Sequence, residues 1–548
     1  MIFFQLLLFF ISIFFFSLSI SGYGKLINLK IKKNFFLEIF LGIVILTFVI
    51  TFIHFFFKIS LILSLSIFGL GLIFFLKKKD FKFSDLFKIN NIYLLVIIIF
   101  FIPMFLSQKY HEDFGYYHLP YALGFIEEKI VFGYANIDKT YVYNSIWLNL
   151  YSIFFLDDKN YNFLTLPSYL LFLAFILFSL NQIISNKNLL ISDYYLLVVL
   201  FYFILKFTRI SEFGVDLPAV IFSILGIYYF INFHETDLFE DKQAYFFLIL
   251  VFSVFSILIK LSTLPIILLP FYLYLKNFKE LKFSIFRLKY FFIYFLFLSF
   301  FIQQFIYSGC FLFPTNLTCL DVSWFNKEYL NLTKKLELIN KGYYLVAKDS
   351  FTPEEYLSNL NWLYFWFKRN AVQILEHFST IIIPTLLFIL FSKNKDQPSY
   401  FFKEKVSLSI ILFFGLIFWL HFSPVYRFAI HLFVTLIFIL FSKYLLSKIF
   451  SKVLFMTLVS IFIFFSFSKN IIRLNKVDNI YLGIQNVHNK YLSNKIDSNE
   501  FAKVFYPDIE NNTENSWQGR LCWNTPFICS YNKLEIKKNK SYLILKKK

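Results

Sequence analysis

Long charge-free apolar runs alternate with short lysine-bearing segments along almost the whole chain. The runs fall at 1–20, 35–57, 59–76, 91–107, 162–184, 190–207, 215–233, 244–261, 263–275, 290–307, 377–392, 406–420, 428–442 and 453–468. Crossing about 30 Å of hydrocarbon takes about 20 helical residues, so each run is a candidate membrane span, about 14 in all. Inside a bilayer the backbone satisfies its own polar groups only as helices or as a closed barrel. A barrel strand alternates apolar and polar positions, whereas these runs are continuous, which selects helices. The pattern therefore predicts an all-α polytopic membrane protein. Residues 1–20 lack basic residues ahead of the apolar stretch and a small-residue cleavage site after it, so they read as a retained first helix. The stretch 141–156 is apolar but carries Asn144, Asn149 and several tyrosines, and reads as a helix lying along the membrane interface.

The polar positions give an orientation. Lysines gather in the loops 25–33, 77–88, 276–289, 393–405 and 443–452, which all fall on one side when the spans are counted. Basic loops face the cytoplasm. The opposite, outer face then receives both termini, the large loops 108–161 and 308–376, the short segments 208–214 and 421–427, and the tail from Lys469 onward. The acidic loop 234–243 falls inside, but acidic residues contribute little to topology. Two units follow: a bundle, 1–468, with interface helices in its first large outer loop, and a small extracytoplasmic C-terminal domain, 469–548.

Composition sharpens this reading. Of 548 residues 58% are hydrophobic and 23% aromatic, with a mean hydropathy of +0.65, which excludes a soluble globular protein. The net charge of +19 invites a nucleic-acid partner, but lysines confined to short loops orient a bundle instead, and no nucleic acid is expected. The four cysteines, Cys310, Cys319, Cys522 and Cys529, all fall on the outer face. Close pairs on an oxidising side read as disulfides, Cys310 with Cys319 and Cys522 with Cys529. Free thiols are the alternative. Zinc fits less well, since neither pair has two-residue spacing or flanking histidines.

Candidate chemistry concentrates in Gln108–Trp147, just after the fourth run, where HEDFGYYHLP places His111, Glu112, Asp113, Tyr116, Tyr117, His118 and Pro120 together. Carboxylates at the mouth of an apolar bundle are costly to keep, which points to catalysis or binding. Asp113 or Glu112 can take a proton from a hydroxyl, with His118 beside them. The same group could hold a divalent cation with His111 or His118, or Asp113 could simply cap backbone N–H groups. A second cluster, Arg209, Glu212 and Asp216, sits at another outer edge, where Arg209 can grip a phosphate or pair internally with Glu212. A third, His421, Tyr426 and Arg427, flanks Pro424 in a tight turn, where Arg427 suits a phosphate head group or snorkels to ordinary lipid. Lys260 can face a cavity or snorkel, with snorkelling the preferred reading, and His54, His234 and His431 read as structural.

The acidic motif in the first large outer loop, the many-helix bundle and a tail on the same face resemble the GT-C class of integral-membrane glycosyltransferases. HEDFGYYHLPYALGF, with SEFGVDLPA, SGCFLFPTNLTC and SPVYRF, is also similar to bacterial polytopic proteins related to that class. The resemblance implies transfer of a sugar from a polyprenyl-phosphate-linked donor to a cell-envelope glycan, lipid or protein, in the bacterial inner membrane with both termini extracytoplasmic. It implies Asp113 or Glu112 as the base, Arg427 with Arg209 on the departing phosphate, and Tyr117 and His111 among the groups that hold the lipid phosphate. Some class members use a metal, so Mg or Mn remains an open cofactor. A polymerase or ligase of lipid-linked glycans, and a non-enzymatic lipid-linked oligosaccharide flippase or other transporter, are the competing readings.

Overall fold

The computed structural model describes residues 2–31, 34–77, 89–106, 113–156, 163–164, 166–186, 189–206, 214–282, 285, 287–313, 315–395, 404–475, 495–498, 501–507, 521–523 and 525–548. Helices dominate, and the fourteen expected spans each fall on helical segments. Among the described residues nine helices are long and apolar enough to cross a membrane, and three shorter apolar ones accompany them. The protein is an all-α integral membrane protein with little sheet.

The first four helices are α1 (Ile2–Lys25), α2 (Phe35–His54), α3 (Leu61–Lys77) and α4 (Ile89–Leu106). α1 packs against α2 and α3 at backbone distance because glycines leave room. A Cβ on Gly42 would lie 1.9 Å from Ile20 O, and one on Gly22 would lie 1.8 Å from Gly71 O. Small residues at helix contacts are how membrane bundles gain packing without a hydrophobic drive between helices.

Next come α5 (Leu119–Glu127) and α6 (Ile146–Tyr151) in the first loop, then α7 (Leu166–Ser185), α8 (Ile191–Lys206), α9 (Asp216–Glu235), α10 (Phe239–Ile259) and α11 (Leu268–Lys276). α8 buries every side chain from Ile191 to Ile204, and α9 every one from Leu217 to Phe233. They read as uniformly apolar because each is surrounded by other helices. A turn, α12 (Phe278–Leu281), and α13 (Leu288–Ser308) lead to the second large loop with α14 (Leu332–Asn340), α15 (Tyr343–Val346) and α16 (Pro353–Leu357). α17 (Asn361–Phe391), α18 (Lys405–Phe422), α19 (Ile430–Leu446) and α20 (Lys452–Leu474) complete the bundle. The outer helices leave large apolar side chains exposed, such as Phe295 on α13, Phe413 on α18 and Phe464 on α20, as a lipid-facing surface requires.

The stretch 141–156 departs from the expected interface helix. It breaks into a 3₁₀ turn, the short α6 and a second 3₁₀ turn, and α6 is wholly buried. Its asparagines face inward because the interior satisfies them. Asn149 donates to Thr51 Oγ1 (2.8 Å) and Gln303 Oε1 (3.1 Å), Asn144 donates to Gln303 Oε1 (3.0 Å), and the Tyr121 hydroxyl donates to Asn144 Oδ1 (2.8 Å).

Both expected disulfides are formed, Cys310–Cys319 and Cys522–Cys529. The tail makes two antiparallel hairpins, β1 (Lys495–Ser498) with β2 (Lys503–Tyr506) and β3 (Leu534–Asn539) with β4 (Tyr542–Lys547). Its described residues do not stand apart from the bundle. Phe132 exchanges backbone hydrogen bonds with Leu543 and Leu545, and Asn136 Nδ2 donates to Leu545 O, which binds β4 to the first loop.

Candidate functional site

Several helix ends meet at one end of the bundle, and each brings a polar group for a local reason. Asp216 opens α9, where the helix dipole favours a carboxylate. Lys260 follows the last residue of α10 in an extended conformation (φ −153°, ψ 116°) that turns the chain into a 3₁₀ segment, Leu261–Ile267. Arg427 lies on a 3₁₀ turn, Tyr426–Ala429, just after Pro424. Two indoles hold that turn: Trp366 Nε1–H donates to Pro424 O and Trp419 Nε1–H donates to Val425 O. Asp113, Tyr117 and His118 lie on or beside a π-helical turn, Phe114–His118, that runs straight into α5.

These groups line one cavity of about 320 Å³. Lys260 and Arg427 both pair with Asp216. Lys260 Nζ bonds Oδ1, and Arg427 Nε lies 2.7 Å from Oδ2 as an ion pair whose N–H is not aimed along the contact. The Lys260 ammonium also stands 3.3 Å over the Phe428 ring, a close cation–π arrangement. Lys206, at the end of α8, pairs with Glu376 of α17. Next to it the Tyr202 hydroxyl and His377 Nδ1 are hydrogen-bonded at 2.8 Å, and the His377 ring lies 4.8 Å from that of Tyr426.

The described lining thus holds three carboxylates (Asp113, Asp216, Glu376) and three cations (Lys206, Lys260, Arg427). The balance is uneven in space. Two cations share the single Asp216 carboxylate, so those three groups together carry one positive charge in excess, while Asp113 brings a negative charge to the same cavity that also acts on Lys260. Burial, and then the Asp113 and Asp216 carboxylates, push the Tyr117 hydroxyl well above its usual range against the opposing pull of Arg427. Tyr117 therefore stays a neutral hydroxyl at any physiological pH and can donate to an oxygen.

Of the residues singled out in the sequence, Asp113, Tyr117, His118, Asp216, Tyr426 and Arg427 come together here. His111, Glu112, Arg209 and Glu212 lie outside the described residues. One expectation is corrected: Lys260 does not snorkel, because Asp216 and Phe428 hold it inside the cavity wall. Arg427 is also held by Asp216 in that wall, so its snorkelling alternative falls. His421, by contrast, is exposed at the end of α18 and meets the Phe422 ring edge-on, away from the cavity. His54 stacks on Phe125 at 3.5 Å and His431 is buried, as structural histidines should be.

Sequence reasoning passed over Tyr202, Lys206, Gln373, Glu376 and His377. A signal was present: Lys206 and the Glu376-His377 pair sit where apolar runs begin or end on the side assigned to the outer face. Among the described residues no group of three His, Cys, Asp or Glu side chains is placed to hold a metal ion.

Comparison with family models matches residues 1–434 to a domain of unknown function (DUF8201). The match spans every residue named in the cavity and stops before the tail. No curated protein and no solved structure matches the chain. With residues 1–434 of 548 matched, the chain belongs to the DUF8201 family.

Proposed function

We propose that the cavity transfers a sugar from a polyprenyl-phosphate-linked donor to a cell-envelope acceptor, as in the GT-C class that the acidic loop resembles. One observation carries this reading: Asp113 opens into the same cavity as a carboxylate shared by two cations. The wall formed by Lys260, Asp216 and Arg427 has one positive charge in excess, which suits a phosphate held within an apolar bundle. Asp113 suits the other half of the reaction. Its carboxylate takes the proton from the acceptor hydroxyl as that oxygen bonds to the anomeric carbon. The bond from that carbon to the phosphate oxygen breaks, and its electron pair stays on the phosphate, where Arg427 and Lys260 face the new charge. Tyr117 can hydrogen-bond the acceptor or the phosphate. A cavity of about 320 Å³ lies in the range usual for small-molecule sites.

The reading places this end of the bundle outside the cytoplasm, the side to which the lysine count assigns it, and both termini with it. The donor's hydrocarbon tail would lie among the exposed apolar side chains of the outer helices, in a bacterial inner membrane.

The test is Asp113→Asn, an isosteric change that leaves the cavity shape intact. Purified variant and parent are compared for release of lipid phosphate from a polyprenyl-phosphate sugar in the presence of acceptor. Turnover should fall by a factor of about 10² or more, the usual scale for a lost general base. Unchanged turnover at equal folding would remove the proposal. Loss on Arg427→Ala with full retention in Asp113→Asn would favour a polymerase or ligase of lipid-linked glycans instead.

A further inference from the structure

The tail lies beyond the family match, yet it touches the turn that carries Asp113. That turn has an unusual backbone. Leu119 N–H bonds Phe114 O in the π pattern, so Gly115 O would look to residue 120 for its π-helical partner, and Tyr116 O would look to the same residue in the α pattern. Residue 120 is Pro120, which has no N–H. Both carbonyls find donors in the tail instead. Trp523 N–H donates to Gly115 O at 2.8 Å, and the Tyr531 hydroxyl donates to Tyr116 O at 3.2 Å.

The side chains follow the same arrangement. The Trp523 indole occupies the space a Cβ on Gly115 would need, 2.4 Å away, and meets Phe114 edge-on at 6.0 Å. Trp523 holds φ +46°, a left-handed conformation that bulky residues rarely adopt and that surrounding contacts must maintain. The Tyr531 ring lies 5.0 Å from that of Tyr116, and its hydroxyl accepts Cys522 N–H at 2.8 Å. Trp523 and Tyr531 are tied together by the Cys522–Cys529 disulfide, and the base of this loop is fixed on the first outer loop by Tyr531 N–H to Ile137 O and Asn532 Nδ2 to Asn136 O.

We infer that the disulfide-closed loop Cys522–Tyr531 is the positioning element of the site: by supplying the two donors that Pro120 denies to Gly115 and Tyr116, it fixes the turn that presents Asp113, Tyr117 and His118 to the cavity. Trp523 and Tyr531 are positioning residues, acting through the turn rather than on a substrate. An oxidised tail gives a set cavity, and a reduced tail lets the acidic turn move while the cationic wall, built on α9, α10 and the turn before α19, stays in place.

The inference rests on reading Asp113 as the acid of the site, but its test needs no donor and no acceptor. Full-length protein in lipid nanodiscs is treated with a water-soluble carbodiimide and glycine ethyl ester, and labelling of each carboxylate is followed by mass spectrometry. The parent is compared with the double variant Cys522→Ser/Cys529→Ser, which leaves Cys310–Cys319 intact, and with Trp523→Ala. Asp113 should change its labelling rate at least threefold in both variants, while Glu376, on α17 and paired with Lys206 of α8, keeps the parent rate. Asp113 labelling at the parent rate in both variants would overturn the inference, and so would parallel rises at Asp113 and Glu376, which would mean general loosening. Absence of transferase activity in the parent would leave this result untouched and would count against the proposed function alone.

Discussion

Replacing Asp216 by Asn separates an anion-binding wall from an ordinary structural ion pair. Asn keeps the shape of the side chain and removes its charge, so Lys260 and Arg427 lose their common partner. A fully buried pair broken in this way costs about 3–5 kcal/mol. Here the side chains are 18%, 21% and 31% exposed for Lys260, Asp216 and Arg427, so water recovers part of the loss and about 2 kcal/mol is the reasonable expectation. Against this stands a gain for ligand. Where the bound anion keeps Lys260 protonated, the wall goes from one excess positive charge to two, and a unit charge about 5 Å from that anion contributes about 3 kcal/mol at an effective dielectric of about 20. Solvent at the exposed edge cuts that by about half, which leaves about 1.5 kcal/mol, or about tenfold in affinity.

Asp216→Asn should therefore be less stable than the parent and bind phosphate more tightly, a combination that simple damage does not produce. A short-chain prenyl phosphate titrated into detergent-solubilised protein, by calorimetry at low and at high salt, gives the comparison. Arg427→Ala should weaken binding by a similar factor, and the two variants should diverge most at low salt. If Asp216→Asn weakens binding as much as Arg427→Ala does, while both remain folded, the wall is no anion site and the charge argument fails.

Two further predictions concern the frame around the site. Gly42→Ala forces a methyl to within 1.9 Å of Ile20 O, so α1 and α2 must separate, and thermal unfolding should show a loss of about 2–3 kcal/mol, whereas Gly69→Ala, with nothing within 4 Å of the new methyl, should change almost nothing. Glu127 accepts the Phe527 N–H at 2.9 Å, and burial followed by the neighbouring Glu128 raises its carboxyl above the usual range, with the Phe527 N–H and Lys58 opposing. An acid whose folded value is raised favours the folded arrangement below its unfolded value, about 4.3, and loses that contribution as pH climbs through the folded value. Proteolysis of the tail should therefore speed up as pH rises from about 4 through the raised value, and Glu127→Gln should flatten that dependence.

How far the site could be read in advance depended on what kind of quantity each feature is. Apolar run length shows helices because lipid leaves the backbone no other choice, and charges such as Asp113 and Arg427 stand out because an ionised group beside hydrocarbon needs a reason. Lys260 shows where such reading stops. At the end of a span, a lysine reaching outward to lipid head groups and one turned into a cavity occupy the same place in one dimension. The extended backbone at the end of α10 decides between them, and its partner Asp216 lies 44 residues away. Asn144 and Asn149 mislead in the opposite direction: they suggest a helix lying along the interface, whereas Thr51 and Gln303, far off in the chain, satisfy them inside. Residue type thus reveals that polar groups are present in a membrane bundle, but pairing alone sets the net charge of each wall. The six charges of the described cavity lining sum to zero, and only the sharing of Asp216 by two cations gives part of that neutral inventory a local positive excess.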